Sequence, residues 1–258
     1  VSGLFDELKA EWNKKSVNLR KCGTLLDQLK VELLKFSYLP TGKTAACKEE
    51  LILARDVLEI AVEYSVAVKD IPAFERYISQ LKCYYYDYKD LIGDSQNKYK
   101  LLGLNLLFLL SMNKVSGFHT ELELLPAEVI QSNKFIRPIL ALEQYIMEGR
   151  YNKIFEAKGS VPAESYNFFM EMLFDTVRDE IAACLEKSYE KMSIHEAAKR
   201  LNLKREEDVK KFGEKMKWNL VDSKYVFTTE STKPKEPLPS VDLAIQALTY
   251  ARELEMIV

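Results

Sequence analysis

The apolar run LLGLNLLFLL, residues 101–110, limits the fold of this chain sharply. A transmembrane helix needs about 20 apolar residues, whereas this run has only ten positions and is interrupted by Asn105. Polar residues follow at once, at Ser111, Asn113 and Lys114. A helix that is apolar around most of its circumference requires neighbours on more than one side. The run therefore predicts a buried core helix with helical neighbours on two sides, and it argues against a membrane span.

Helical periodicity continues along most of the chain. In residues 25–36 and 46–68, apolar side chains recur every three or four positions, which is the spacing of one helix face. The longer segment is predicted to point inward Leu51, Leu53, Ala54, Val57, Leu58, Ala61, Val62, Ser65 and Val68. Only nine of the 258 residues are glycine, too few for the many tight turns of a β-rich fold. We therefore expect a mostly α fold with a sizeable core.

Two segments of the chain resemble each other. DIPAFERYISQL (70–81) and KVSGFHTELELL (114–125) align without gaps at an offset of 44 residues. Each has a small residue beside Phe and then an apolar stripe, and EGRYNKIFEAKG (148–159) is a weaker third copy about 33 residues further on. A single helix pair cannot bury its apolar face alone, so such pairs stack into a solenoid. We predict an irregular, TPR-like helical-repeat domain over residues 1–160.

The sequence changes character in residues 161–231. SIHEAAKRLNL (193–203) begins with a capping box, in which Ser193 is followed three residues later by Glu196. A second helix is predicted over 205–220, and VDSKYVFTT (221–229) is rich in the β-branched and aromatic residues of a strand. Two short helices followed by a small β wing are typical of a winged helix. Residues 161–231 are therefore predicted to form a winged-helix subdomain.

The end of the chain combines a proline-rich stretch with a last helix. TKPKEPLPS (232–240) holds three of the eight prolines and is predicted to be an extended tether. Residues 241–258 then form a helix, capped by Ser240, in which Asp242, Gln246, Thr249 and Glu253 form one narrow polar strip and apolar side chains cover most of the remaining circumference. Such a wide apolar arc requires neighbours on several sides. The residues alone leave two placements open, in the core of this chain or in a bundle of helices from other chains.

No catalytic, metal or cofactor site is predicted. The chain has two histidines, His119 and His195, and no HExxH, GxGxxG or GxSxG motif. LPTGKT (39–44) lacks the first glycine of a phosphate-binding loop and follows no predicted strand. The four cysteines lie too far apart in sequence for a zinc or redox motif, so they are predicted to be reduced, mostly buried thiols. The tyrosines of CYYYDY (83–88) are better explained by rings that pack between repeats, with hydroxyls that reach water, than by stacking on a ligand.

The charge distribution argues against nucleic acid and anionic membranes as partners. The net charge is −2, with 37 basic and 39 acidic residues. A recognition helix presents its first turn to the bases, and here that turn reads REED, residues 205–208. Three acidic residues at this place would repel phosphates. A nucleic-acid-binding winged-helix protein is kept as an alternative, with low support from the charges.

The order of helical repeats, winged helix and tethered helix is similar to that of the PCI-domain proteins. This family serves the proteasome lid, the COP9 signalosome and a eukaryotic translation initiation factor complex. The resemblance to the proteasome-lid members is carried by four strings over nearly the whole chain. They are LLGLNLLFLLSMNKVSGFHTELELLP (101–126), LEQYIMEGRYNKIF (142–155), VPAESYNFFMEMLFDTVRDEIAACLEKSYEKM (161–192) and YARELEMIV (250–258). The resemblance is looser in residues 1–45 and 202–240.

The resemblance implies a non-catalytic scaffold subunit in the lid of the proteasome regulatory particle. Its implied partners are the other PCI subunits, the pair that contains the deubiquitinase, and base subunits, in a hetero-oligomer. It implies no cofactor, metal, nucleic acid or membrane, and a location in cytoplasm and nucleus. A scaffold subunit of a sister PCI complex is the alternative.

In this family, winged helices join through their wing strands, and C-terminal helices gather into a shared bundle. The resemblance therefore favours the intermolecular placement of the last helix. For the wing, we predict a free strand edge at Tyr225, Val226 and Phe227. For the bundle, we predict partner contacts through Val241, Leu243, Ile245, Leu248, Tyr250, Leu254, Met256 and Ile257.

Overall fold

A computed structural model describes residues 2–12, 14, 18–33, 48–157, 163–203, 205–221, 224–227 and 239–256. The chain divides into two units, Val1–Glu180 and Ile181–Val258. The predicted domain boundary after residue 160 lies before this division. Most of the tether predicted at 232–240, the GKT stretch and Cys47 lie outside the described residues.

The first unit is built of helices. In chain order they are α1 (Ser2–Trp12), α2 (Leu19–Leu33), α3 (Lys48–Val68), α4 (Ile71–Tyr86), α5 (Lys89–Ile92), α6 (Lys98–Ser111), α7 (Val115–Glu123), α8 (Ala127–Ser132), α9 (Arg137–Met147), α10 (Tyr151–Glu156) and most of α11 (Asn167–Ser188). Helices α3 and α4, α6 and α7, and α9 and α10 pack as successive hairpins. The short helices α5 and α8 lie in the connections between hairpins.

The same bend closes each of these hairpins. Lys69, Asn113 and Gly149 adopt left-handed backbone conformations, with φ of 65°, 57° and 69°. The N–H of the following residue donates to a carbonyl five positions back at 2.8–2.9 Å, in the pairs Asp70–Ser65, Lys114–Leu109 and Arg150–Tyr145. This is the Schellman arrangement that ends many helices.

The bends place equivalent side chains in the core. Phe74, Phe118 and Ile154 each follow the left-handed residue by five positions, and all are fully buried. The predicted repeat is therefore confirmed in the structure. The third copy is 36 residues from the second when the bends at Asn113 and Gly149 are matched, rather than about 33.

Helix α6 is the buried centre of the first unit. Every residue in 101–110 is buried except Leu109, which is partly exposed. The rings of Phe74, Phe108 and Phe169 join α4, α6 and α11, with centroids 5.1–5.4 Å apart. The prediction that this run forms a core helix between neighbours is confirmed. None of the helices in the described part of the chain has both the length and the apolar character needed to cross a bilayer.

A polar network lies beside this core. The buried carboxylate of Glu59 on α3 accepts a hydrogen bond from the Tyr85 hydroxyl at 2.8 Å and another from Asn97 Nδ2 at 3.2 Å. Tyr84 is also buried, so the rings of these tyrosines pack inside the repeats as predicted, but the Tyr85 hydroxyl is buried and does not reach water. Val68, which was predicted to point inward, is exposed at the end of α3.

The second unit begins with the end of α11 and forms the winged helix. Its elements are β1 (Lys191–Ser193), α12 (Ile194–Leu201), α13 (Glu206–Lys215), β2 (Asn219–Val221), β3 (Lys224–Val226) and α14 (Ser240–Glu255). Ser193 Oγ accepts a hydrogen bond from the N–H of Glu196, so the predicted cap of α12 is confirmed. The last helix begins at Ser240 itself and has Pro239 at its N-cap, so Ser240 does not cap it.

Two boundaries in this unit differ from the prediction. Helix α13 ends at Lys215 instead of continuing to 220, because Lys217 takes a left-handed conformation with φ of 60°. The single strand predicted over 221–229 is instead an antiparallel pair, β2 and β3. Trp218 anchors this turn, since its ring packs against Tyr225 at 5.1 Å and its Nε1 donates to Glu186 at 2.6 Å. A mostly α fold with a small β wing is confirmed.

Candidate interaction surfaces

The wing sheet corrects the predicted strand edge. Within the described residues its order is β1–β3–β2, so β3 lies in the middle and is paired on both sides. Tyr225 and Phe227 are buried, at 2% and 7% exposure, and Phe227 N–H donates to Glu190 at 3.0 Å. The prediction that Tyr225, Val226 and Phe227 form a free edge was therefore wrong, because the backbone groups of β3 are already used by two neighbours.

The outer strand β2 takes over as the candidate edge. All of its residues are exposed. Leu220 and Val221 are 48% and 55% exposed, which is high for apolar side chains in a sheet. An exposed strand edge of this kind can accept a further strand by backbone hydrogen bonding.

The last helix is the larger candidate surface. Every residue of α14 is exposed, and its large apolar side chains are 48–74% exposed in Val241, Leu243, Ile245, Leu248, Tyr250, Leu254 and Met256. Ile257, which was also predicted to contact partners, lies outside the described residues. Over the described residues, the helix therefore does not take the first of the two predicted placements, inside its own core. A contiguous apolar surface of this kind is typical of a protein interaction site.

The polar groups of the first unit serve its structure. A groove of about 480 Å³ lies between α1, α3 and the segment before α6. In it, the Glu63 carboxylate accepts hydrogen bonds from Trp12 Nε1, at 3.1 Å, and from Lys100 Nζ. The Arg55 guanidinium pairs with Asp56 at 2.8 Å. Because these charged side chains pair with one another, we interpret them as a structural network and not as a catalytic site.

Neither histidine lies in a catalytic arrangement within the described residues. His119 Nε2 is 3.5 Å from the buried carboxylate of Glu143, and His195 is exposed on the first turn of α12. In the parts of the chain that the structure describes, no His, Cys, Asp and Glu side chains gather in a group of three or more that could hold a metal ion. Cys184 is exposed, contrary to the expectation of mostly buried thiols.

Helix α13, the second helix of the winged helix, has the mixed surface charge that its sequence predicted. Arg205, Glu207 and Asp208 are exposed at its start, and Lys210 and Lys211 are exposed one turn later. Acidic and basic side chains thus alternate on the surface that a DNA-reading winged helix would place against phosphates. This mixed surface gives little electrostatic attraction for a duplex.

Comparisons with known proteins agree with this architecture. A family model described as the CSN8/PSMD8/EIF3K family matches residues 96–237, which span α6 to beyond β3. The chain is 41% identical to the 26S proteasome non-ATPase regulatory subunit 8 homolog A of Arabidopsis thaliana, covering 100% of this chain and 97% of the relative. It is 34% identical to the 26S proteasome non-ATPase regulatory subunit 8 of Caenorhabditis elegans, over the full length of both. It is 31% identical to the 26S proteasome regulatory subunit rpn12 of Schizosaccharomyces pombe, over 100% of this chain and 97% of the relative. The winged helix, the repeats and these matches together show that the chain belongs to the CSN8/PSMD8/EIF3K family.

Proposed function

We propose that this chain is a non-catalytic scaffold subunit in the lid of the 26S proteasome regulatory particle. In this role it supports lid assembly and the joining of lid and base for ubiquitin-dependent protein degradation, in the cytoplasm and the nucleus. The proposal is supported by relatives that carry the names of proteasome regulatory subunits and align over nearly their whole lengths. Two of them are named non-ATPase subunits, which agrees with a role without catalysis.

The observation that carries the proposal is the exposure of α14. Its large apolar side chains are exposed to water, although burial of each would contribute about 1.5–3 kcal/mol of stabilising free energy. The natural cover for such a helix is a bundle of partner helices. Other lid subunits, including those with PCI domains, would supply that bundle.

The wing adds a second contact in this proposal. The edge of β2 that is unpaired among the described residues joins a wing strand of a neighbouring subunit, with Leu220 and Val221 packing across the junction. An edge pairing fixes the direction of the neighbour through backbone hydrogen bonds. The bundle helix then supplies most of the apolar area that is buried.

The test is capture of the complex followed by native mass spectrometry. Three tagged chains are compared, namely the full chain, Leu248→Asp and the control Thr249→Asp. The control places the same charge on the polar strip of α14, where a bundle leaves the side chain in water. We expect the full chain and Thr249→Asp to capture lid subunits, and Leu248→Asp to lose them. Equal capture by all three would overturn the role of α14.

The family description also covers subunits of sister complexes. The identity of the captured proteins separates these readings, because the proteasome, the COP9 signalosome and the initiation factor complex contain different subunits. Capture of signalosome or initiation factor subunits, without proteasome subunits, would contradict the proteasome assignment while leaving the scaffold role intact.

A further inference from the structure

Helix α14 carries two different apolar ridges. The first, the plain ridge, consists of Leu243, Ala247, Tyr250 and Leu254, at spacings of four, three and four residues. The second, the arginine ridge, has the same spacing in Val241, Ile245, Leu248 and Arg252. At 100° per residue the two ridges lie about 160° apart across the side that holds Ala244 and Ala251, and the polar strip lies in the wider arc on the other side. A guanidinium thus stands where the spacing calls for a fourth apolar side chain.

The guanidinium of Arg252 has no partner among the residues that the structure describes. Its side chain is exposed, and it forms no ion pair with any of the described residues. Arg252 also lies in the last turn of α14, where a cation interacts favourably with the helix dipole. The dipole accounts for a cation at this end of the helix. The dipole does not explain why the arginine lies on an apolar ridge. Position 253, one residue later on the polar strip, would place a cation at the same end of the helix.

Covering the arginine ridge would remove water from the guanidinium. Burial of an unpaired charge is strongly unfavourable, whereas a carboxylate can accept two parallel hydrogen bonds from arginine. We propose that the partner helix covering the arginine ridge carries an Asp or Glu side chain opposite Arg252. This inference rests on the proposed function, because it assumes that α14 enters a bundle.

The pair would give the bundle its register. A purely apolar ridge can pack against a partner helix in several registers and in either direction, since one leucine packs much like another. A single charged pair within such a ridge disfavours every register that leaves the charge buried and unpaired. The plain ridge therefore supplies buried area. Arg252 selects which partner helix covers the arginine ridge and in which direction that helix runs.

The experiment is competitive incorporation. A tagged variant and the untagged wild-type chain are expressed together, and their ratio is measured in complexes captured through another lid subunit. Arg252→Gln is matched by Gln246→Glu, which makes the same change in net charge on the polar strip. Loss of one partner of a buried charge pair corresponds to about 30-fold or more in affinity. We expect that loss for Arg252→Gln, a partial loss for Arg252→Lys, and no more than about a twofold change for Gln246→Glu.

The outcomes separate this inference from the function on which it rests. If Arg252→Gln is incorporated like wild type while Leu248→Asp is excluded, the bundle stands and the proposed acidic partner is wrong. If Leu248→Asp is also incorporated, the proposed function of α14 fails as well. A photo-crosslinking amino acid in place of Glu255, three residues beyond Arg252, identifies the neighbouring helix and leaves the guanidinium of Arg252 in position. We expect an Asp or Glu within one turn of the captured residue, and its replacement by Lys to restore incorporation of Arg252→Glu. A captured helix without such a carboxylate would overturn the inference.

Discussion

At the scale of single residues, the carboxylate of Glu59 depends on the hydroxyl of Tyr85. Replacing Tyr85 with Phe leaves one oxygen of a buried carboxylate without its closest donor, which is 2.8 Å away. We expect the free energy of unfolding to fall by about 1–3 kcal/mol, measured from the midpoint of urea denaturation. Tyr88→Phe is the control, because Tyr88 is only partly buried and lies two residues beyond α4. A similar loss in both variants would contradict the importance of this hydrogen bond.

Buried tyrosines make the stability of the chain sensitive to alkaline pH. Burial raises the pKa of Tyr85 and Tyr166, and partial burial raises the pKa of Tyr86 to about 12. Between pH 10 and 12 the unfolded chain therefore loses protons that the folded chain retains. Each such group lowers the free energy of unfolding by at most about 1.4 kcal/mol per pH unit, and the partly exposed Tyr86 by less because solvent screens it.

Tyr86→Phe tests this dependence without loss of a hydrogen bond, since the Tyr86 hydroxyl is buried and has no hydrogen-bond partner among the described residues. We expect nearly unchanged stability at pH 7 and a shallower decline between pH 10 and 12. Urea denaturation at several pH values measures both. Parallel pH profiles for wild type and variant would show that Tyr86 is not protected in the folded state.

Glycine is required at position 213 because the ring of Tyr225 leaves no room for a Cβ, and not because of the backbone conformation. A Cβ at this position of α13 would lie 2.9 Å from Cε1 of Tyr225, a ring that is buried and packed against Trp218. We expect Gly213→Ala to reduce the free energy of unfolding by about 1–3 kcal/mol. Gly3→Ala is the matched control, because a Cβ there meets nothing within 4 Å and alanine favours a helix. Thermal denaturation should move in opposite directions for the two variants, and stabilisation by both would contradict this packing.

At the scale of secondary structure elements, the hairpin bends can be tested directly. Asn113 adopts the left-handed conformation that Gly149 adopts in the next hairpin. An alanine in this conformation costs about 1–2 kcal/mol because its Cβ crowds the carbonyl, whereas glycine has no such cost. We expect Gly149→Ala to be destabilising by about that amount in urea denaturation. Asn113→Ala should cost less, because asparagine already has a Cβ and only tolerates this conformation better than alanine, and Asn113→Gly should be neutral or stabilising. Equal effects of Ala and Gly at 113 would contradict the role of the conformation.

The sequence predicted those elements whose signal is local and strong. The run 101–110 and the recurring Phe positions identified the core helix and the hairpins, because apolar side chains at helical spacing have few other uses. Strand β1 was missed, since three residues directly before a helix carry too little pattern to predict a strand. Without β1, the middle strand β3 was mistaken for an edge. Which strand lies at an edge depends on pairing between distant segments, which no local pattern encodes.

At the scale of the whole molecule, α14 adds no buried residues to the chain over its described length. A chain that ends at Pro239 should therefore keep the melting temperature of the full chain, within about 1–2 °C. Circular dichroism should show the loss of helix, and calorimetry should show the unchanged transition. A decrease of several degrees would mean that the helix packs on its own chain, contrary to its exposure here.

The hairpin bends also influence how this chain can vary during evolution. Each bend is complete within about six residues, from Ser65 to Asp70 in the first hairpin. The stretches that hold α5 and α8 lie outside the bends, and the bends at Lys69, Asn113 and Gly149 are separated by 44 and then 36 residues. Insertions and deletions in these stretches change the interval and leave every bend intact. Inherited changes of length can therefore accumulate in the connections, while each bend admits only residues that accept a left-handed backbone.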